Sequence, residues 1–263
     1  MVSTLSFAGM IFTLLVAFLL PIGLIIYARK RYSAPFSAIG VGALVFFISV
    51  LVLEQFLHVY VLKLNPATKS LLSNPWIYAT YGGLAAGIFE EVGRFIAFKF
   101  FLKKHHQWKG GFAYGIGHGG IEAILLVGFA SINNLIYSLI INAGAFDSLI
   151  GSKLPAETAQ QVKNSLINTH GSLFFLSGIE RCFALTLQIG LSILVVYAVK
   201  NRKNIYLLLA ILIHAAIDFP AALCQKGILN IWVVEGIIFA ACIGFIYWIV
   251  KSKKVFDMNM DCL

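Results

Sequence analysis

Apolar residues in this chain come in long runs separated by short polar stretches, without the strict alternation of a half-buried strand. Runs near or above the roughly 20 residues that cross a bilayer core fall at 6–28, 36–62, 76–102, 112–130, 172–199, 205–222 and 229–250. The pattern predicts an all-α polytopic membrane bundle of about seven transmembrane helices. It forms one domain over 1–263, with a catalytic core at about 76–222. The stretch 131–143 (SINNLIYSLIINA) carries three Asn and reads as a continuation of the fourth span or an interfacial segment. Residues 144–170 are polar and read as the longest loop. Met1–Phe7 lacks a basic n-region, so no cleavable signal peptide is expected, and no internal repeat is evident.

Composition sharpens the class. The 263 residues are 60% apolar and only 12% charged, about half the usual quarter. A soluble enzyme, a disordered chain and a nucleic-acid module are excluded on that balance, and the expected surroundings are lipid in a cell membrane, with bacterial character. The net charge of +9 does not change this, because the basic residues lie in clusters between apolar runs. Arg29–Lys30–Arg31, Lys103–Lys104–Lys109, Lys200–Arg202–Lys203 and Lys251–Lys253–Lys254 follow spans one, three, five and seven, twelve residues on one side. The other side has five: Lys63, Lys69, Lys153, Lys163 and Lys226. The positive-inside rule then predicts an outer N-terminus and a cytosolic C-terminus. Cys182, Cys224, Cys242 and Cys262 form no CxxC pair and predict neither a disulfide nor a zinc framework.

The charges inside the spans carry the chemistry. Seven of eleven acidic residues lie there: Glu54, Glu90, Glu91, Glu122, Glu180, Asp218 and Glu235. Each costs about 2.5–3.5 kcal/mol at mid-bilayer even on the lenient insertion scale, so they are expected to face a shared polar interior. Counting helical rise places Glu91, His118, Glu122, His214 and Asp218 in one layer reached from the cytosolic half. Glu54, His58, Glu180, Arg181 and Glu235 fall nearer the outer end and read as a structural network.

Spacing adds detail. Ala79, Gly83, Gly87 and Glu91 recur at every fourth residue, as do Gly111, Gly115 and Gly119 beside His118. Small-xxx-small stripes let membrane helices approach closely, and if these two face each other Glu91 meets His118 and Glu122. Arg94 stands four and three residues after Glu90 and Glu91, spacings at which opposite charges meet on a helix. The expectation is that Arg94 holds Glu90 and leaves Glu91 free. In His214-Ala-Ala-Ile-Asp218-Phe-Pro220 the His and Asp share a face, and Pro220 deprives Ala216 of a helical donor.

The set Glu90-Glu91-x-x-Arg94, His118-x-x-x-Glu122 and His214-x-x-x-Asp218 resembles the YhfC family of predicted intramembrane peptidases, grouped with the CaaX-prenyl endopeptidase, bacteriocin-processing and PrsW proteases. These motifs cover about 90 to 218. Against the CaaX endopeptidases, this chain has two residues instead of three between the Glu pair and Arg, an added Glu122, and Asp218 where Asn is common. The resemblance implies that Glu90 or Glu91 activates water with His118, while His214 and Asp218 stabilise an oxyanion or hold a metal. The substrate implied is a membrane-associated protein or peptide.

Two versions of that chemistry are open to these residues. In one, His118, His214 and one or two of Glu91, Glu122 and Asp218 ligate zinc with an open position. In the other, a buried Glu is the general base and His214 donates to the oxyanion without a metal. Two other classes share the same residue types: a proton- or divalent-cation-coupled transporter, and a non-cleaving immunity or regulatory protein of the same fold. The absence of an inverted repeat speaks against the transporter.

Overall fold

Helix boundaries follow local chemistry. Asn65 and Asn74 each sit just before a proline, and their side-chain oxygens accept from the free amides of the first turn: Ala67 N at 3.0 Å and Thr68 N at 3.3 Å, then Trp76 N at 2.9 Å and Ile77 N at 3.4 Å. Such a cap with proline at the first helical position is a strong start signal. In this computed structural model, residues 1–258 are described, and Cys262 lies outside them. The described residues form helices and turns and no strand.

The long elements are α1 (Thr4–Tyr32), α2 (Phe36–Leu64), the short α3 (Pro66–Leu71), α4 (Pro75–Ile96, continued by a π-helical turn Ala97–Phe101), α5 (Trp108–Asn142), α6 (Ala156–Asn168), α7 (Gly171–Lys200), α8 (Ile205–Gln225) and α9 (Ile231–Met258). Among the described residues six of these, α1, α2, α5, α7, α8 and α9, are long and apolar enough to cross a membrane. The seventh expected span, α4, has the length but not the apolarity. Glu90, Glu91, Arg94 and Lys99 crowd its second half.

Of two further expectations, one is resolved between its alternatives and one changes. The Asn-bearing stretch after residue 130 continues α5 without a break. The 144–170 loop holds a helix, α6, with short turns before it. Its apolar positions Ala159, Val162 and Leu166 are spaced three and four apart, which is helical spacing and gives α6 a buried face.

The chain divides into two compact units, Met1–Ile22 with Glu122–Cys182, and Gly23–Ile121 with the residues from Phe183 onward. In the first, Val2, Met10, Ile141, Phe146, Ala159 and Leu166 form the core, and the Asn142 amide clasps the Val2 backbone at 2.7 and 3.0 Å. In the second, residues 187–196 of α7 are all buried, which makes this stretch the innermost element of that unit. Helices α4 and α8 pack most extensively there.

Candidate functional site

Glycine decides how closely the helices of the second unit approach. A Cβ on Gly83 would lie 2.5 Å from the Ala215 carbonyl oxygen, and one on Gly87 would lie 2.7 Å from that of Ile211. The stripe of α4 therefore packs on α8. The glycines of α5 at 111, 115 and 119 lie instead against Ile193, Ile189 and Gln188 of α7. The expectation that the two stripes face each other is corrected by these contacts: each finds a different helix. The reason is geometric. A small-residue stripe specifies closeness, not partner.

This packing sends the two neighbouring carboxylates of α4 in different directions, since successive helical residues point about 100° apart. Glu91, on the stripe, meets α8: His214 Nδ1 donates to its Oε1 at 2.7 Å. Glu90 meets α5 and α7. Its Oε2 accepts from His118 Nε2 at 2.8 Å, from Gln188 Nε2 at 3.0 Å and from an Arg94 guanidinium nitrogen at 3.3 Å. Arg94 is not given to Glu90 alone. Its other terminal nitrogen, Nη1, is 3.4 Å from Glu91 Oε1 and 3.3 Å from the Gln188 backbone carbonyl oxygen, while Nη2, the nitrogen facing Glu90, also donates to the Gln188 side-chain oxygen.

The cluster is dry at one end and open at the other. Glu91, Arg94 and His118 are fully buried. His214 Nε2 lies 3.5 Å from Asp218 Oδ2, and the Asp218 side chain is 40% exposed. A row therefore runs from Asp218 through His214 to Glu91. Four buried atoms of the cluster have no hydrogen-bond partner: Glu91 Oε2, His118 Nδ1, Arg94 Nε and the Tyr114 hydroxyl. Tyr114 stacks on His118, with ring centroids 5.8 Å apart. A buried polar atom without a partner is uncommon and marks a place where a water or substrate atom is wanted.

Gln188 and Tyr114 are the members that sequence reasoning missed. A Gln or Tyr in an apolar span is unremarkable in type. Gln188 shows its value only once α7 is known to lie against α4 and α5.

The other charged residues form separate groups. In the first unit Arg181 pairs with Glu122 at 3.1 Å and with Glu180. In the second, Glu54 pairs with His58 at 3.1 Å, and His58 Nδ1 is 2.8 Å from the Tyr81 hydroxyl. Glu122 was expected beside His118 and Glu91 and belongs instead to the Arg181 group, because one helical turn past His118 it enters the other unit. Glu54, expected near the outer end, pairs with its own helical neighbour His58.

The donor types around Glu90 and Glu91 are those zinc takes, but their placement does not fit one. Among the described residues no three His, Cys, Asp or Glu side chains converge as metal ligands. The Glu90 oxygen nearest the histidines is already shared by three protein donors, one of them cationic.

A family model described as YhfC intramembrane metalloprotease matches residues 16–238. An uncharacterized membrane protein, YhfC, of Bacillus subtilis (strain 168) is 45% identical over 243 residues, covering 92% of this chain and 94% of that protein. No solved structure matches. With its apolar helices and a match over most of its length, this multi-pass membrane protein belongs to the YhfC family.

Proposed function

We propose that the protein is an intramembrane peptidase, hydrolysing peptide bonds of membrane-associated substrates with a water activated by Glu91. The observation that carries this reading is the state of that carboxylate. One oxygen is held by His214 and Arg94, while the other is buried with no partner. Glu90 is the more heavily engaged of the two: its Oε2 accepts from three donors, one of them the Arg94 guanidinium, and its Oε1 has His214 Nε2 3.9 Å away.

In the proposed reaction Glu91 Oε2 takes a proton from water as the water oxygen bonds to the scissile carbonyl carbon. The carbonyl electron pair moves onto oxygen. His214, whose Nε2 faces the open Asp218 side, donates to that oxyanion. Collapse of the tetrahedral intermediate breaks the C–N bond, and the proton held by Glu91 passes to the leaving amine. Glu90, Arg94 and Gln188 fix the positions of His118 and Glu91. Asp218 orients His214. The glutamates of the first unit, Glu122 and Glu180, hold Arg181 and take no part. The basic clusters support a cytosolic C-terminus, with the cluster reached from the cytosolic half.

The test is full-length protein in proteoliposomes, given quenched-fluorescence peptides that carry an apolar span. Wild type cleaves; His118→Ala and His214→Ala both lose activity, His214→Ala by about 10²- to 10⁴-fold, the usual worth of an acid–base group. Metal content is measured on the same samples. Stoichiometric zinc that disappears with His118→Ala assigns the metal version of the chemistry. Proton or cation flux without cleavage overturns the peptidase reading in favour of transport.

A further inference from the structure

At the end of α4, past the polar cluster, three departures from regular helix converge on one cavity of about 580 Å³. Its walls are Phe95, Lys99, Lys103 and His106 on one side and Ala198, Val199, Arg202 and Asn204 on the other, all in the second unit. First, the last turn of α4, Ala97–Phe101, is π-helical. Such a widened turn often marks a functional position, and it carries Lys99. Second, His106 is pinned across the turn, with its Nε2 donating to the Phe98 carbonyl oxygen at 2.7 Å.

Third, Arg202 adopts φ 54°, a left-handed conformation unfavourable to any residue with a Cβ. It closes α7 with paired bonds from Lys203 N to Ala198 O at 3.0 Å and from Arg202 N to Val199 O at 3.3 Å. That is the turn in which glycine ordinarily occupies this place. The chain keeps an arginine where glycine would be easier, and its side chain lines the cavity.

We infer that this cavity binds the phosphate headgroup of an anionic membrane lipid. Three cations, Lys99, Lys103 and Arg202, surround it and no carboxylate lines it. The neighbouring cavity walled by Tyr32, Trp108, Lys109, Lys200 and Lys253 differs in having Asp257 in its wall. Phe95, Ala198 and Val199 give the cationic cavity an apolar floor that suits the glycerol and first acyl carbons. It lies at the helix ends that bear the basic clusters, where the positive-inside rule places the anionic inner leaflet. Basic pockets between membrane helices on that side are a recurring form of headgroup site.

The experiment titrates phosphatidylglycerol, phosphatidylcholine and inorganic phosphate onto the purified full chain, reading bound lipid by native mass spectrometry. Each surface cation near a headgroup is worth about fivefold in affinity. Arg202→Gly should therefore weaken phosphatidylglycerol binding about fivefold while leaving the thermal midpoint in phosphatidylcholine unchanged or higher, because glycine suits that backbone. Lys99→Gln with Lys103→Gln and Arg202→Gln should weaken it about a hundredfold. Lys251→Gln with Lys253→Gln and Lys254→Gln, equal in charge but outside the cavity, should weaken it less than about fivefold. Equal losses in the two triple variants would mean diffuse attraction and overturn the site. So would phosphatidylcholine binding as tightly, inorganic phosphate competing at matched concentration, or Arg202→Gly leaving the affinity intact. If the first triple variant does not fold, Arg202→Gly decides.

Discussion

Arg94 is a fully buried guanidinium that reaches both carboxylates of the cluster and Gln188. Its fork provides donors in several directions at once, which a lysine ammonium on a flexible stem cannot reproduce. Arg94→Ala leaves two carboxylates in low dielectric and should lower stability by about 3–5 kcal/mol, with Arg94→Lys recovering little of it. Thermal unfolding in detergent checks this; a midpoint unchanged by Arg94→Ala would remove the residue from the cluster. A second residue gives a pH prediction. Partial burial, then the charges of Lys109, His106 and Lys104, hold His105 below its ordinary pKa of 6.5. The folded chain thus binds fewer protons there than the unfolded one. Its contribution is intact above that pKa and is lost as pH falls below it. Wild type should lose slightly more in thermal midpoint than His105→Gln between pH 7.5 and 5, a small effect because the group is largely exposed. An equal slope for both would contradict the assignment. At this scale the sequence is most legible where it is chemically odd. Glu90, Glu91, Arg94, His118, His214 and Asp218 stand out because charge inside an apolar run is expensive, and the structure brings these six into one cluster.

Helices are legible in the sequence and their neighbours are not. Runs of apolar residues locate the long elements, most of them to within a few positions but stopping well short of the ends of α5 and α9, and Asn–Pro pairs mark where α3 and α4 begin. Which faces meet depends on packing across the whole unit, so the glycines of α4 and α5 announce close approach without naming α8 and α7 as partners. The helix in the 144–170 segment was hidden by its polar exterior; only Ala159, Val162 and Leu166 betray it. A sharp element-scale prediction comes from α5 and α2. A Cβ on Gly117 would strike the Ile39 carbonyl oxygen, and one on Gly42 would strike that of Tyr114, whereas Gly40 has open space around its Cβ direction. Gly117→Ala and Gly42→Ala should each cost about 1–3 kcal/mol, as overpacking does. Gly40→Ala should be neutral or stabilising by up to about 1 kcal/mol. Equal midpoints for all three would show that α2 and α5 do not touch at these glycines.

For the whole molecule, the division of charge between two units separates work from support. The first unit has its own core and an Arg181 group in which each carboxylate has a cation. The second holds the Glu90–Glu91 cluster, in which one Glu91 oxygen has no hydrogen-bond partner. The positive-inside reading of the basic clusters is a prediction of orientation: a reporter fused after Leu263 should be cytosolic and one inserted at Ser152 external, and a cytosolic signal from Ser152 would refute that topology. The central claim, that Glu91 is the base of a peptidase, is tested most directly by peptide cleavage in proteoliposomes with wild type, Glu91→Gln and Glu90→Gln side by side, each matched for thermal midpoint. Glutamine keeps the size of the side chain and removes only the base. The account predicts that Glu91→Gln lowers cleavage by about 10²- to 10⁴-fold while Glu90→Gln loses less. Cleavage that persists in Glu91→Gln would contradict it.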